Sequence, residues 1–131
     1  MEKSSYQGLK VWQKAMDLTA VLYQLVKKLP KEELYALCDQ MRRATVSITS
    51  NIAEGHDRNT QKEFIHFLTI SRGSKAELET HLLICVKVGY LLESEILEAM
   101  NLLTEIGKML TSLINRLSAQ LPENRKLKPN N

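Results

Sequence analysis

The side chains able to do chemistry in this chain are few. It has three histidines, His56, His66 and His81, and two cysteines, Cys38 and Cys85. Glu63-Phe64-Ile65-His66 places a carboxylate and an imidazole on one face of a helix, the Glu-x-x-His unit of di-iron bundles. Such a site needs that unit on two helices, with further carboxylates. Three residues before His81 stands Leu78, so the second unit is missing. His56-Asp57-Arg58 sits in a tight loop and reads as loop solvation. There is no glycine-rich phosphate loop, no Cys-x-x-Cys spacing and no serine elbow. A helical ribonuclease domain of toxin–antitoxin type would set four to six residues between an arginine and a histidine. Arg58 to His66 leaves seven and Arg72 to His81 leaves eight. No catalysis, no metal and no cofactor are expected; the ribonuclease is the least favoured reading.

The remaining polar chemistry is arranged as a stripe. In "QMRRATVSITSNIAEG", Gln40, Arg43, Ser47, Asn51 and Glu54 advance by steps of three and four. They therefore share one helix face, rotated about 100° from the apolar stripe. "SRGSKAE" at 71–77 supplies a matching polar centre on a later helix, with small residues that would let two backbones approach. Gln40, Ser47, Asn51, Glu54, Ser74 and Glu77 are expected to form an interhelical polar network that sets register. Arg42, Arg43, Arg58, Lys62, Arg72 and Lys75 are expected to project outward toward phosphates or a protein partner. Antiparallel pairing would bring the region of Arg43 near Arg72 to Glu77.

These groups must be held by helices. Leu18, Leu22, Leu25 and Leu29 recur at helical spacing, and Pro30 should stop the first helix, about 9–29. The second, about 31–54, opens on Glu32 and Glu33 and carries Leu34, Leu37, Met41, Ala44, Ile48 and Ile52, with Gly55 as its stop. The third, about 61–91, starts at a Thr60/Glu63 capping box and shows two adjacent seams that turn polar in the middle. The fourth, about 95–119, starts behind Ser94 as N-cap. Short loops between four amphipathic helices give an all-α, up-down-up-down antiparallel four-helix bundle over 1–119. A frayed or disordered tail is expected over 120–131.

With 131 residues, 44% apolar and 25% charged, the composition suits one globular domain. No apolar run is long enough to cross a bilayer, and no signal peptide is expected at the N-terminus, so cytoplasm is the expected compartment and no membrane the expected context. Cys38 and Cys85 both fall on apolar faces and are expected to be reduced and buried. The net charge of +3 permits nucleic acid as a partner without demanding it. Residues 40–75 are the basic middle, with six bases against three acids. Trp12, near Tyr6 and Leu9, suits an oligomer interface anchor better than a base-stacking platform.

"LKVWQKAMDL", "QMRRATVSITSNIAEG", "KEFIHFLTISRGSKAELET" and "VGYL" together resemble bacterial proteins encoded in intervening sequences of large-subunit ribosomal RNA genes. The resemblance spans about Leu9 to Leu117. By that resemblance, relatives include the accessory protein of diversity-generating retroelements, which acts with a reverse transcriptase and nucleic acid. The resemblance implies four-helix bundles that form homo-oligomeric rings, typically pentamers. The function expected is therefore a non-catalytic, homo-oligomeric binding or scaffold module. Its expected partners are itself, RNA or DNA, and a nucleic-acid enzyme. The alternative is a protein–protein scaffold with no affinity for nucleic acid.

Overall fold

The computed structural model describes residues 5–122. Among them are four α-helices and no strand: α1 Lys10–Val26, α2 Leu37–His56, α3 Gln61–Lys87 and α4 Glu93–Ala119. Short 3-10 turns at Tyr6–Gly8 and Lys31–Glu33 precede α1 and α2. Each helix packs on its neighbours in chain order, and α4 closes on α1.

Residue pairs across each contact run in opposite senses. Thr19 meets Thr45 while Val26 meets Cys38; Ser47 meets Ser74 while Met41 meets Cys85. On α4, Thr111 meets Arg72, and Gln120 just beyond its end meets Gln61. Lys14 pairs with Glu105 and Lys28 with Glu95. Every adjacent pair of helices is therefore antiparallel. The α1–α2 and α3–α4 turns lie at one end, where the Tyr90 hydroxyl donates to Glu33 at 2.8 Å.

The core follows from helical spacing. Val11, Ala15, Leu18, Leu22 and Leu25 line one face of α1, and Ile96, Ala99, Leu103, Ile106, Leu110 and Ile114 one face of α4. Burying each large aliphatic side chain stabilises the fold by about 1.5–3 kcal/mol. Of the two seams on α3, the one through Leu68, Ser71, Leu78, Leu82 and Cys85 is buried. The other leaves Ile70, Ile84 and Val88 exposed. Both cysteines are free and buried, and burial pushes the Cys85 thiol up to about 11.

The ends of the helices depart from the sequence expectations. α1 stops at Val26 rather than 29, because the residue before Pro30 is disfavoured in helix; Lys28 and Leu29 bond three residues back. The expected helix from 31 does not form in one piece. A 3-10 turn is followed by Ala36 at φ −119 and ψ −100, and α2 begins at Leu37. Leu34 thereby leaves the apolar stripe and is exposed. Glu33 accepts from the Leu37 amide at 3.4 Å while holding Tyr90, a tertiary contact that no local pattern announces.

α2 runs through Gly55, which is no stop. A Cβ there would lie 2.7 Å from Phe67 Cβ and 3.0 Å from Phe64 Cδ1, so the glycine admits α3 against α2. Thr60 does cap α3, accepting from the Glu63 amide at 3.1 Å. α3 ends at Lys87 rather than 91, where Gly89 takes φ +85. The Gly89 and Tyr90 amides then donate back to Val86 and Cys85, a Schellman closure. α4 starts at Glu93, so Ser94 lies inside its first turn. The N-cap is Leu92, whose amide donates to the Glu95 carboxylate at 2.9 Å. Lys28, then the Leu92 amide, hold the Glu95 carboxyl below its usual range. Of the expected tail, 120–122 close the end of α4, and 123–131 lie outside the described residues.

Candidate functional site

The polar network between α2 and α3 is smaller than the stripe suggests. Ser47 and Ser74 are joined hydroxyl to hydroxyl at 2.7 Å. The Asn51 amide donates to the Ser47 carbonyl at 2.8 Å and to its hydroxyl at 3.0 Å. Ser71, fully buried, donates to the Ile48 carbonyl at 2.7 Å. The other three expected members stand apart. Gln40 is exposed. Glu54 pairs with Arg58 at 2.8 Å, four residues on. Glu77 lies 3.6 Å from His81 on its own helix. Both carboxylates are more than half exposed and engage partners on or next to their own helices instead of reaching across. A second polar seam, Thr19 with Thr45 and Thr49 between α1 and α2, was not anticipated from the sequence.

The six expected outward bases divide among three places. Arg42 and Arg43 line the groove between α1 and α2 with Tyr23 and Val46. Arg42 donates to the Leu34 carbonyl at 3.2 Å, tying down the α1–α2 turn. Arg43 pairs with Asp39 at 3.2 Å, not with Glu77. At the α2–α3 loop, Arg58 lies over Phe67, its Cζ 4.6 Å from the ring centre, and Lys62 is exposed nearby. Arg72 and Lys75 line the groove between α3 and α4. The cyclic order of helices puts that groove on the side opposite Arg42 and Arg43. Arg43 and Arg72 therefore do not share a face.

The α3/α4 groove holds the densest basic chemistry. Lys108 and Arg116 of α4 join Arg72 and Lys75 there, among Thr104, Thr111, Ser112 and Asn115. Arg72 Nη1 donates to Thr111 at 3.4 Å, and Lys75 is held by Glu79 at 2.9 Å. Gly107 makes room for the Lys75 stem: a Cβ there would lie 2.8 Å from Lys75 Cε. Among the described residues, Lys108 and Arg116 have no acidic partner within ion-pair distance. Sequence reasoning missed both. The signal was available in Thr104, Lys108, Thr111 and Asn115, whose steps of four, three and four trace one polar face of α4.

The three histidines occupy separate surroundings. His66 is exposed, edge-on to Phe67. His56 is half-buried, edge-on to Phe64. His81 is buried, and desolvation lowers its pKa, partly opposed by the Glu77 charge. Among the described residues no three of His, Cys, Asp or Glu come together as a metal would require. No described helix is long and apolar enough to cross a membrane. Trp12 is half-buried and packs edge-on to Tyr6 at 5.4 Å.

Comparison with known proteins bears on the whole bundle rather than on one groove. The family model described as 23S rRNA-intervening sequence protein matches residues 7–112. Among solved structures, the chain is similar to a protein of unknown function from the S23 ribosomal protein family of Bacteroides thetaiotaomicron. The two are 27% identical, the match covers 79% of this chain and 97% of that one, and the TM-score is 0.74. No curated protein matches.

Proposed function

The chain belongs to the 23S rRNA-intervening sequence protein family, and from that premise we propose that it is a non-catalytic, homo-oligomeric module that holds nucleic acid by its phosphate backbone. The observation that carries this reading is the α3/α4 groove. Two guanidinium and two ammonium groups line it, with hydroxyl and amide side chains between them. Such groups neutralise and hydrogen-bond phosphate oxygens. Among the described residues no aromatic side chain lines the groove to stack a base, so binding should follow charge and shape rather than sequence. A single copy offers few contacts. Several copies in a ring would present several grooves to one strand, and affinity would rise through effective concentration.

The test is fluorescence anisotropy with labelled RNA and DNA across a salt series, beside sedimentation velocity of the free protein. With Lys75 held by Glu79, the three other cations predict a log–log salt slope of about −3 per copy on a duplex. Lys108→Glu with Arg116→Glu should weaken binding by at least about tenfold and flatten the slope by about 2 per copy. Failure of the wild-type protein to bind at about 50 mM salt would end the nucleic-acid reading. The second reading, a protein scaffold, draws on the exposed apolar side chains Tyr35, Leu83 and Leu97. It predicts the same oligomer with no uptake of nucleic acid.

A further inference from the structure

A cavity of about 450 Å³ lies across α4 from the basic groove, where the start of α1 meets the last turns of α4. That volume falls in the range of small-molecule pockets, about 300–1,000 Å³. Leu9, Val11, Met109 and Leu113 give it an apolar floor; Val11 is buried and the other three are half-buried. Lys10, Lys108 and Arg116 stand exposed around it, and among the described residues no carboxylate lines it. Nor, among the described residues, does any of these three cations have an acidic partner within ion-pair distance. The cavity and the groove adjoin. Lys108, Ser112 and Arg116 line both, and their steps of four set them in one row along α4. This row is a ridge with a notch, two long cations flanking one small hydroxyl. Toward α3 lies the polar groove, and toward α1 the apolar floor.

We infer that the cavity receives a base of single-stranded nucleic acid whose phosphates lie in the α3/α4 groove, the base turning over the ridge at Ser112. The inference rests on the phosphate-binding function proposed above and names the form of nucleic acid that this site takes. Charge selects the occupant. An apolar floor ringed by unpaired cations calls for a ligand that joins an apolar body to an anion. A nucleotide does so, with a flat base face for the floor and a phosphate for the ridge. An apolar segment of protein would match the floor and leave three cations unanswered. Continuity selects it as well: Lys108 and Arg116 already serve the groove, so a phosphate held by them carries its own base to the edge of the floor. Aliphatic side chains read no donor or acceptor pattern, so the cavity accepts any base and adds no sequence preference. In a duplex the bases are paired and stacked. A duplex can therefore occupy the groove but reaches the cavity only by extruding a base.

The experiment measures fluorescence anisotropy of the full-length protein with three probes of equal length. They are a labelled oligothymidylate, the same strand with every base replaced by an abasic site, and a labelled duplex. The abasic strand keeps all its phosphates. Wild-type protein should bind the intact strand about tenfold more tightly than the abasic one. The salt slopes of the two should be equal, because the phosphate contacts are shared. Two variants then address the cavity without changing charge, their folding checked by circular dichroism. Gly8→Leu fills it, since Gly8 lines the cavity and a Cβ there meets no atom within 4 Å. Met109→Gln puts an amide on the floor. Each should narrow the tenfold difference to about twofold or less and leave duplex binding unchanged. An intact strand that binds no better than the abasic one overturns the inference and leaves the phosphate-binding function standing. A tenfold preference that the folded variants keep also overturns it, because the bases would then be held elsewhere. So does an equal loss on all three probes, since a base would not be what the cavity holds. A wild-type protein that binds none of the probes at about 50 mM salt ends the phosphate-binding function, and this inference with it.

Discussion

The hydroxyl of Ser47 on α2 lies 2.7 Å from that of Ser74 on α3, in the middle of the longest helix pair of the N-terminal three-quarters of the bundle. The Ser47 hydroxyl also accepts from Asn51 at 3.0 Å, and either serine can be the donor in the Ser47–Ser74 bond. Register between α2 and α3 thus rests on a short chain of three polar side chains, reinforced by Ser71 on the Ile48 carbonyl. Ser47→Ala and Ser74→Ala should each cost about 1 kcal/mol. The double variant should lose less than the sum, with a coupling of about 0.5–1.5 kcal/mol in urea denaturation. Additive losses would mean that the two hydroxyls do not share a bond.

Arg43 and Glu77 behave otherwise. Arg43 is engaged by Asp39 on its own helix, and Glu77 lies beside His81 on another. Arg43→Ala and Glu77→Ala should therefore be additive within about 0.5 kcal/mol. A larger coupling would restore the cross-helix ion pair that the spacing alone suggests.

Gly55→Ala tests the closeness of α2 and α3. Alanine is the better helix former by about 1 kcal/mol, so propensity alone predicts stabilisation. The new Cβ would stand 2.7 Å from Phe67 Cβ, an atom fixed to the α3 backbone that cannot swing aside. Overpacking of this kind costs about 1–3 kcal/mol and should win. The expected outcome is a lower urea midpoint; a higher one would show that the helices can separate freely.

His81 should make the fold acid-sensitive. Burial lowers its folded pKa beneath the unfolded value near 6.5, and Glu77 opposes this only in part. Below that value the unfolded chain binds the proton more readily, so stability falls as pH drops, and the penalty is complete once pH passes below the folded pKa. His81→Gln should show a smaller loss of urea midpoint between about pH 7.5 and about pH 5.5 than the wild type. Equal losses would place the acid sensitivity elsewhere.

The helical class, the number of helices and most core positions follow from local periodicity, and so were legible in the sequence. Leu18, Leu22, Met41, Ile48, Leu103 and Leu110 are apolar at helical spacing and fully buried. The Thr60 cap was equally plain, because its partner amide is three residues away. Gly55 was legible as special and misread as to its purpose. A glycine near the end of a helical pattern looks like a stop until the side chains opposite it, here Phe64 and Phe67, are known.

Angular phase between helices decided the rest. A wheel tells which residues share a face of one helix, but not which neighbouring helix that face meets. Six bases that looked alike along the chain fall at three separate places. Lys108 and Arg116, more than thirty residues from Lys75, complete the groove that Arg72 and Lys75 begin. Likewise Glu33 turned from an ordinary helix-start residue into the partner of Tyr90 across the bundle end. The sequence by itself determined the four amphipathic helices, because burial of an apolar stripe is a local, repeating requirement. Only the tertiary structure decided which cations meet and which helix ends give way, because those depend on distances between segments far apart in the chain.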